Sequence, residues 1–352
     1  MSASPLPETL AELVRRYSPS GQEAGAVAYL VERMARLGYS GASTDAARNA
    51  VGVMGSGPRQ IILLGHIDTV PGEIPVRQED NILYGRGTVD AKGPLSAFVD
   101  AVAAVGPVEG WQFVVIGAVG EERDSPGAQY IAPRYQPELA IIGEPSGWDR
   151  VTLGYKGSAW AELTTRSPMA HTAGQGESAC ETAVKIWLAI QEWAAAFNAG
   201  RERYFDQVTP TLRGMDSGEE NFESWATLRV GARLPLDLPP RDWYAALREI
   251  QPGMELEETG FAIPAYRSDK TNPLVRAFLS GIRSTQGQPG FVLKTGTADI
   301  NIVGPAWGCP AVAYGPGDSS LDHTPNEHIH ITEYCRAVAV LKAVLQKLSR
   351  AE

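Results

Sequence analysis

Three short apolar runs in this chain end in groups that can hold a metal ion or move a proton. Ile61-Ile62-Leu63-Leu64 runs into Gly65-His66-Ile67-Asp68. Trp111 to Val119 runs into Gly120-Glu121-Glu122, and Leu139-Ala140-Ile141-Ile142 into Gly143-Glu144-Pro145. Such runs read as buried strands, and ligand sites in open α/β sheets collect beyond the carboxyl ends of strands. His66, Glu122 and Glu144, with Asp90 and His323 from other segments, therefore form a candidate convergent site. Imidazole with carboxylate and no thiolate suits a catalytic zinc, cobalt or manganese centre.

Each piece has a plainer explanation that must be weighed. In extended chain, positions i and i+2 point the same way, so Asp68 can accept from the His66 ring and fix its tautomer, as carboxylates beside metal-bound histidines do. A surface turn with a chance histidine is the alternative, and the chain has only five histidines. Asp90 precedes a helix and could be a simple N-cap. That role does not explain Gly85, Gly87 and Gly93 around it, which imply unusual torsions in a loop whose carboxylate could bridge two ions. Glu121 and Glu122 repel unless a cation or proton relieves them, and one could ligate while the other serves as base. Two solvated loop glutamates are the alternative. In Leu321-Asp322-His323-Thr324-Pro325, His323 is preferred as a ligand to His328 and His330, whose stretch reads as a strand or loop edge. His171, in Pro168-Met169-Ala170-His171-Thr172, is either an exposed loop residue or a donor brought over the site.

The elements that must position these groups follow from periodicity. Helices are expected over 6–17, 22–38, 95–105 and 125–132, and strands over 40–44, 50–54, 60–65, 111–119 and 138–143. Near Tyr155 the texture changes. A strand over 158–165, a helix over 177–198, strands over 209–214 and 224–233 and a helix from Pro239 to Ile250 form an α+β series. Strands at 291–294 and 310–314 and a helix over 332–349 return to the first pattern. The expectation is an α/β, mixed-sheet domain built from 1–154 and 267–352, with an inserted α+β lid and dimerisation domain over 155–266. The 352 residues exceed one comfortable core. A net charge of −10 argues against nucleic acid and anionic membranes as partners. Cys180, Cys309 and Cys335 show no paired spacing, and Met1-Ser2-Ala3-Ser4-Pro5 opens no signal peptide, so the cytoplasm is the expected location.

The order His-x-Asp, Gly-Arg-Gly-x-x-Asp-x-Lys-Gly, Glu-Glu, Gly-Glu-Pro and a late His-Thr-Pro resembles the co-catalytic zinc amidohydrolase and carboxypeptidase family, over essentially the whole chain. That family includes acetylornithine deacetylase, succinyl-diaminopimelate desuccinylase and aminoacylase. Within it, residues 65–76, Lys294-Thr295-Gly296-Thr297-Ala298-Asp299 and Tyr314-Gly315-Pro316-Gly317-Asp318-Ser319 look like the hydrolases that release lysine or ornithine from the C-terminal glutamate of the acidic carrier protein LysW. The resemblance implies two divalent ions, Zn²⁺ or Co²⁺. His66 and Glu144 would hold one, Glu122 and His323 the other, and Asp90 would bridge them. It further implies that Asp68 orients His66, Glu121 is the general base, His171 stabilises the oxyanion in cis or from a partner subunit, and Arg233 meets a substrate carboxylate. A cis Asp90-Ala91 peptide and a homodimer are also implied. A deacetylase of N-acetyl-ornithine or N-acetyl-lysine, and a non-catalytic binding module of the same fold, are the competing readings. A carrier-docking rim would need local cations, for which Arg150, Lys156, Arg201, Arg203, Arg267 and Lys270 are candidates by sequence position.

Overall fold

Apolar strands with no polar alternation require cover on both faces, and the sheet that forms here has it. In the computed structural model, which describes residues 6–169 and 176–350, a mixed sheet runs in the order Gly41–Thr44, Ala50–Gly55, Trp111–Ala118, Arg59–His66, Leu139–Gly143, Ala311–Ala313, Arg150–Tyr155. Arg59–His66 is parallel to both neighbours, with Gly65 opposite Gly117 on one side and Gly143 on the other. Ile61, Ile62, Leu63 and Leu64 are fully buried. The helix Lys92–Val105 is covered nearly all round by this sheet and by the C-terminal helix Ile331–Arg350. The glycine row in the sheet permits that approach: a Cβ at Gly65 would crowd Leu95, and one at Gly143 would crowd Phe98. Burying side chains of this size contributes about 1.5–3 kcal/mol each.

A small antiparallel sheet, His328–His330, Ile82–Tyr84 and Arg77–Glu79, ties the segment before Asp90 to the segment after His323. Its strands of three residues have no periodicity to read, which is why only the His328 edge was legible.

A second compact unit comprises Tyr155–Arg267 with Lys294–Thr297, and the first unit the remainder. The second contains an antiparallel sheet in the order Thr209–Glu220, Glu223–Leu234, Gly157–Pro168, Glu255–Ile263. Alternate residues of Gly157–Pro168 are buried, and helices Ala179–Asn198 and Pro240–Ile250 cover that face through Ile186, Ile190, Trp243 and Leu247. Ser178 and Glu181 form a capping box that starts the longer helix. Lys294–Thr297 groups with this unit although the sequence placed the insertion at 155–266. The Lys156 amide donates to the Lys294 carbonyl, and Arg233 donates to Thr297 Oγ1.

Other elements depart from the expected spans for local reasons. Thr209–Glu220 runs past the expected 214 because it is an edge strand with both faces largely exposed, so polar residues fill it. The helix Ile300–Trp307 carries Pro305 inside it and was hidden for that reason. Arg150–Tyr155 was also unforeseen, its buried face coming immediately after a loop. Among the described residues, no helix is long and apolar enough to cross a membrane.

Candidate metal centre

The three parallel strands deliver their groups side by side. His66 is the last residue of its strand, Glu121 and Glu122 follow the neighbouring strand, and Glu144 follows the other neighbour. Asp90 and His323 come from loops and close the site. Asp90 Oδ1 lies 3.1 Å from His66 Nε2, and Asp90 Oδ2 lies 3.0 Å from His323 Nε2. His323 Nε2 is also 3.1 Å from Glu122 Oε2. One carboxylate thus faces two imidazoles, one oxygen to each. His66, Asp90 and Glu122 can each offer a ligand atom within 4.8 Å of the others.

Two backbone features fix Asp90. The Asp90-Ala91 peptide is cis, as the resemblance implied. Gly87 has a φ of 87°, in the region that favours glycine. Gly93 is needed for another reason than the torsion expected of it: a Cβ there would collide with the Thr88 carbonyl oxygen. His323 has a φ of 61°, which few non-glycine residues adopt, and its ring nevertheless reaches Asp90 and Glu122.

The groups behind the ligands are well satisfied. His66 Nδ1 lies 3.1 Å from the Asp68 carbonyl oxygen and 3.5 Å from Asp68 Oδ1. Its closer partner is the backbone oxygen rather than the carboxylate expected from sequence. Either acceptor favours the proton on Nδ1 and leaves Nε2 the lone pair that a metal ligand needs. The Asp68 carboxylate instead accepts from the amides of Glu121 and Glu122 at 3.0 and 3.2 Å and from Ser20 Oγ at 2.6 Å. It holds the turn that presents both glutamates. Glu327, fully buried, accepts from the amides of Val89 and Asp90 and pairs with Arg86 at 2.9 Å. Glu327 and Arg86 carried no role in the sequence reading. Their signal was there: Arg86 lies inside the motif that supplies Asp90, and Glu327 two residues beyond the one that supplies His323.

The electrostatics describe a site short of positive charge. Burial pushes Glu121 and Glu144 well above the usual carboxylate range, His66 opposing and neighbouring carboxylates adding to it. Burial likewise raises Glu122, and it lifts Asp299 to about 6. Asp299 Oδ1 is buried with no hydrogen-bond partner among the described residues. Burial also disfavours charge on His66, but its bonds to Asp68 and Asp90 prevail and hold its pKa well above the ordinary value. Bonds to Asp90 and Glu122 push His323 to about 10. Burial opposes ionisation of Asp90, yet the two imidazoles keep it below the usual range. Two histidines with raised proton affinity face these crowded carboxylates. This donor set fits divalent ions.

His171 lies outside the described residues. Arg233 belongs to the second unit, where its guanidinium donates to Thr297 Oγ1 at 3.2 Å.

The chain belongs to Peptidase family M20/M25/M40, which matches residues 62–347. It is an enzyme of that metal-dependent class, a hydrolase of amide bonds. It is 44% identical to a LysW-lysine hydrolase of Deinococcus radiodurans, with 99% of each chain covered. It is 42% identical to a putative LysW-lysine/LysW-ornithine hydrolase of Thermococcus kodakarensis, covering 98% of this chain and 92% of that one. Among solved structures, aminopeptidase PepT of Bacillus cereus has a TM-score of 0.78 at 18% identity, covering 98% and 99% of the two chains. A Staphylococcus aureus tripeptidase gives 0.79 at 20% identity, covering 98% of each. These two structures show the fold: a mixed-sheet catalytic domain with a separate antiparallel insertion.

Proposed function

We propose that this enzyme releases lysine, or ornithine, from the C-terminal glutamate of the LysW carrier protein by metal-assisted amide hydrolysis. The observation that carries the chemistry is the shared carboxylate, Asp90, with one oxygen on each imidazole and Glu121 beside it, 4.0 Å from His66 Nε2. The substrate follows from full-length similarity to enzymes named for that activity.

His66 and Glu144 would hold one ion, Glu122 and His323 the other, and Asp90 would lie between them. Zinc is the first choice, and cobalt suits the same donors. When bound, the two ions polarise the scissile carbonyl and acidify the attacking water. Glu121 accepts the proton of that water as its oxygen bonds to the carbonyl carbon. Its buried carboxyl, with a raised affinity for protons, then passes the proton to the amine nitrogen as the carbon–nitrogen bond breaks. The products are the carrier's free carboxylate and the free amino acid. Asp68 holds the turn of Glu121 and Glu122 and supports His66. His171 donates to the oxyanion, and Arg233 binds a carboxylate of the substrate.

The test is hydrolysis by metal-replete enzyme of carrier protein bearing lysine on its terminal glutamate, beside free N-acetyl-lysine and N-acetyl-ornithine. A kcat/KM strongly in favour of the carrier adduct is expected. Preference for the free acetyl compounds would move the enzyme to small-molecule deacylation.

A further inference from the structure

Most basic residues close in sequence to the boundary between the units are already engaged. Lys156 is fully buried and donates to the carbonyls of Tyr204 and Gln207. Arg201 pairs with Asp237, Arg203 with Asp206 and Arg150 with Asp149. Arg123 differs. It follows Glu122 directly, its side chain is exposed, and its guanidinium makes no hydrogen bond or ion pair among the described residues. Its backbone is anchored, the amide donating to the Gly120 carbonyl.

Arg123 lines a cleft of about 400 Å³ whose walls include Tyr17, Gln22, Val70, Pro71 and Glu122. Ser20 also lines it, and the same hydroxyl donates to Asp68 Oδ2. Glu122 thus borders both this cleft and the candidate metal centre, and the cleft lies wholly within the first unit. Val70 and Pro71 provide apolar wall, and Gln22 adds an amide.

We propose that Arg123 is a specificity determinant that binds a carboxylate on the acyl half of the substrate, the half that remains with the carrier. The proposal rests on the function proposed above and deepens it. The lysine half pairs its own carboxylate, assigned above to Arg233, with an ammonium group that a guanidinium repels. The acyl half, a glutamyl group at the end of an acidic protein, offers carboxylates and a methylene stem for the apolar wall. On an enzyme of net charge −10, a cation with no internal partner beside the reacting groups is a ready anion subsite, and arginine is the side chain best shaped for a carboxylate.

The experiment compares wild type, Arg123→Ala and Arg123→Glu on Nα-succinyl-lysine, Nα-acetyl-lysine and the lysine-bearing carrier. The expected result is a succinyl-to-acetyl ratio of kcat/KM that falls about tenfold or more in Arg123→Ala and further in Arg123→Glu, with KM for the carrier rising in parallel. Charge reversal separates electrostatic recognition from lost packing. An unchanged ratio and an unchanged carrier KM in both variants overturn the assignment while leaving the carrier reading intact. A wild type that ignores the carrier but loses its succinyl preference in Arg123→Ala overturns the carrier reading and keeps the anion subsite.

Discussion

At the scale of single residues, Glu121 and His323 show what the site requires. Glu121 is nearly enclosed and holds a proton more tightly than an ordinary glutamate, burial being the main cause. A glutamine there keeps the shape and loses the proton acceptor. Glu121→Gln is expected to retain metal and lose roughly 10²–10⁴-fold in kcat, the range that a positioned base contributes. A near wild-type kcat would reassign the base. Hydrogen bonds to Asp90 and Glu122 push the His323 imidazole up to about 10, against an ordinary 6.5. A raised folded pKa adds stability that is fully present below the unfolded value and is lost as pH rises through about 10. Metal must displace that proton, so zinc uptake should release protons and tighten as pH rises through neutrality. Titration of metal-free enzyme in a weakly buffered indicator solution reads this directly; pH-independent uptake without proton release would contradict it. At this scale the sequence singles out His66, Asp90, Glu121 and Glu122 by motif, and the structure brings ligand atoms of His66, Asp90 and Glu122 within 4.8 Å of one another. What could not be read was which atom of Asp68 meets His66, since a two-residue spacing does not distinguish carbonyl from carboxylate.

At the scale of elements, the loop carrying Asp90 is held from behind by a group that ligates nothing. Glu327 satisfies two amides of that loop and neutralises buried Arg86. Glu327→Ala should weaken zinc affinity about 10–100-fold, as loss of a group behind the ligands typically does. It should also cost about 3–5 kcal/mol of stability by leaving a buried charge unpaired. Glu327→Gln retains an acceptor for the amides and should recover part of the metal affinity. Zinc competition and thermal unfolding measure both, and wild-type affinity in Glu327→Ala would remove the positioning role. Gly93→Ala makes a related point, since the added methyl must displace the Thr88 carbonyl and the loop with it. The long apolar strands and the helix after Asp90 were readable because burial on both faces leaves uninterrupted hydrophobic sequence. The three-residue strands that join Ile82–Tyr84 to His328–His330 were not, because pairing so short is decided by tertiary contacts.

At the scale of the whole molecule, the chain splits into two compact units. The first unit holds the candidate ligands His66, Asp90, Glu122, Glu144 and His323, and the second holds Arg233. The helix Ala179–Asn198 of the second unit leaves Val184 and Leu188 exposed. We predict a homodimer formed through that unit, as the family resemblance implied; sedimentation of a fully active monomer at assay concentration would refute it. The sequence changes at Tyr155 from near-continuous apolar runs to alternating ones, and the second compact unit begins there. The small return at Lys294–Thr297 was not, because it depends on hydrogen bonds between segments far apart in sequence. The central claim is that a two-ion centre built on Asp90 carries out amide hydrolysis. The most direct measurement is titration of metal-free enzyme with zinc while following both bound metal and turnover of the lysine-bearing carrier. The account predicts two ions per chain at saturation, turnover that appears only with metal, and Asp90→Ala losing both. Turnover by rigorously metal-free enzyme, or two ions retained with full activity in Asp90→Ala, would contradict it.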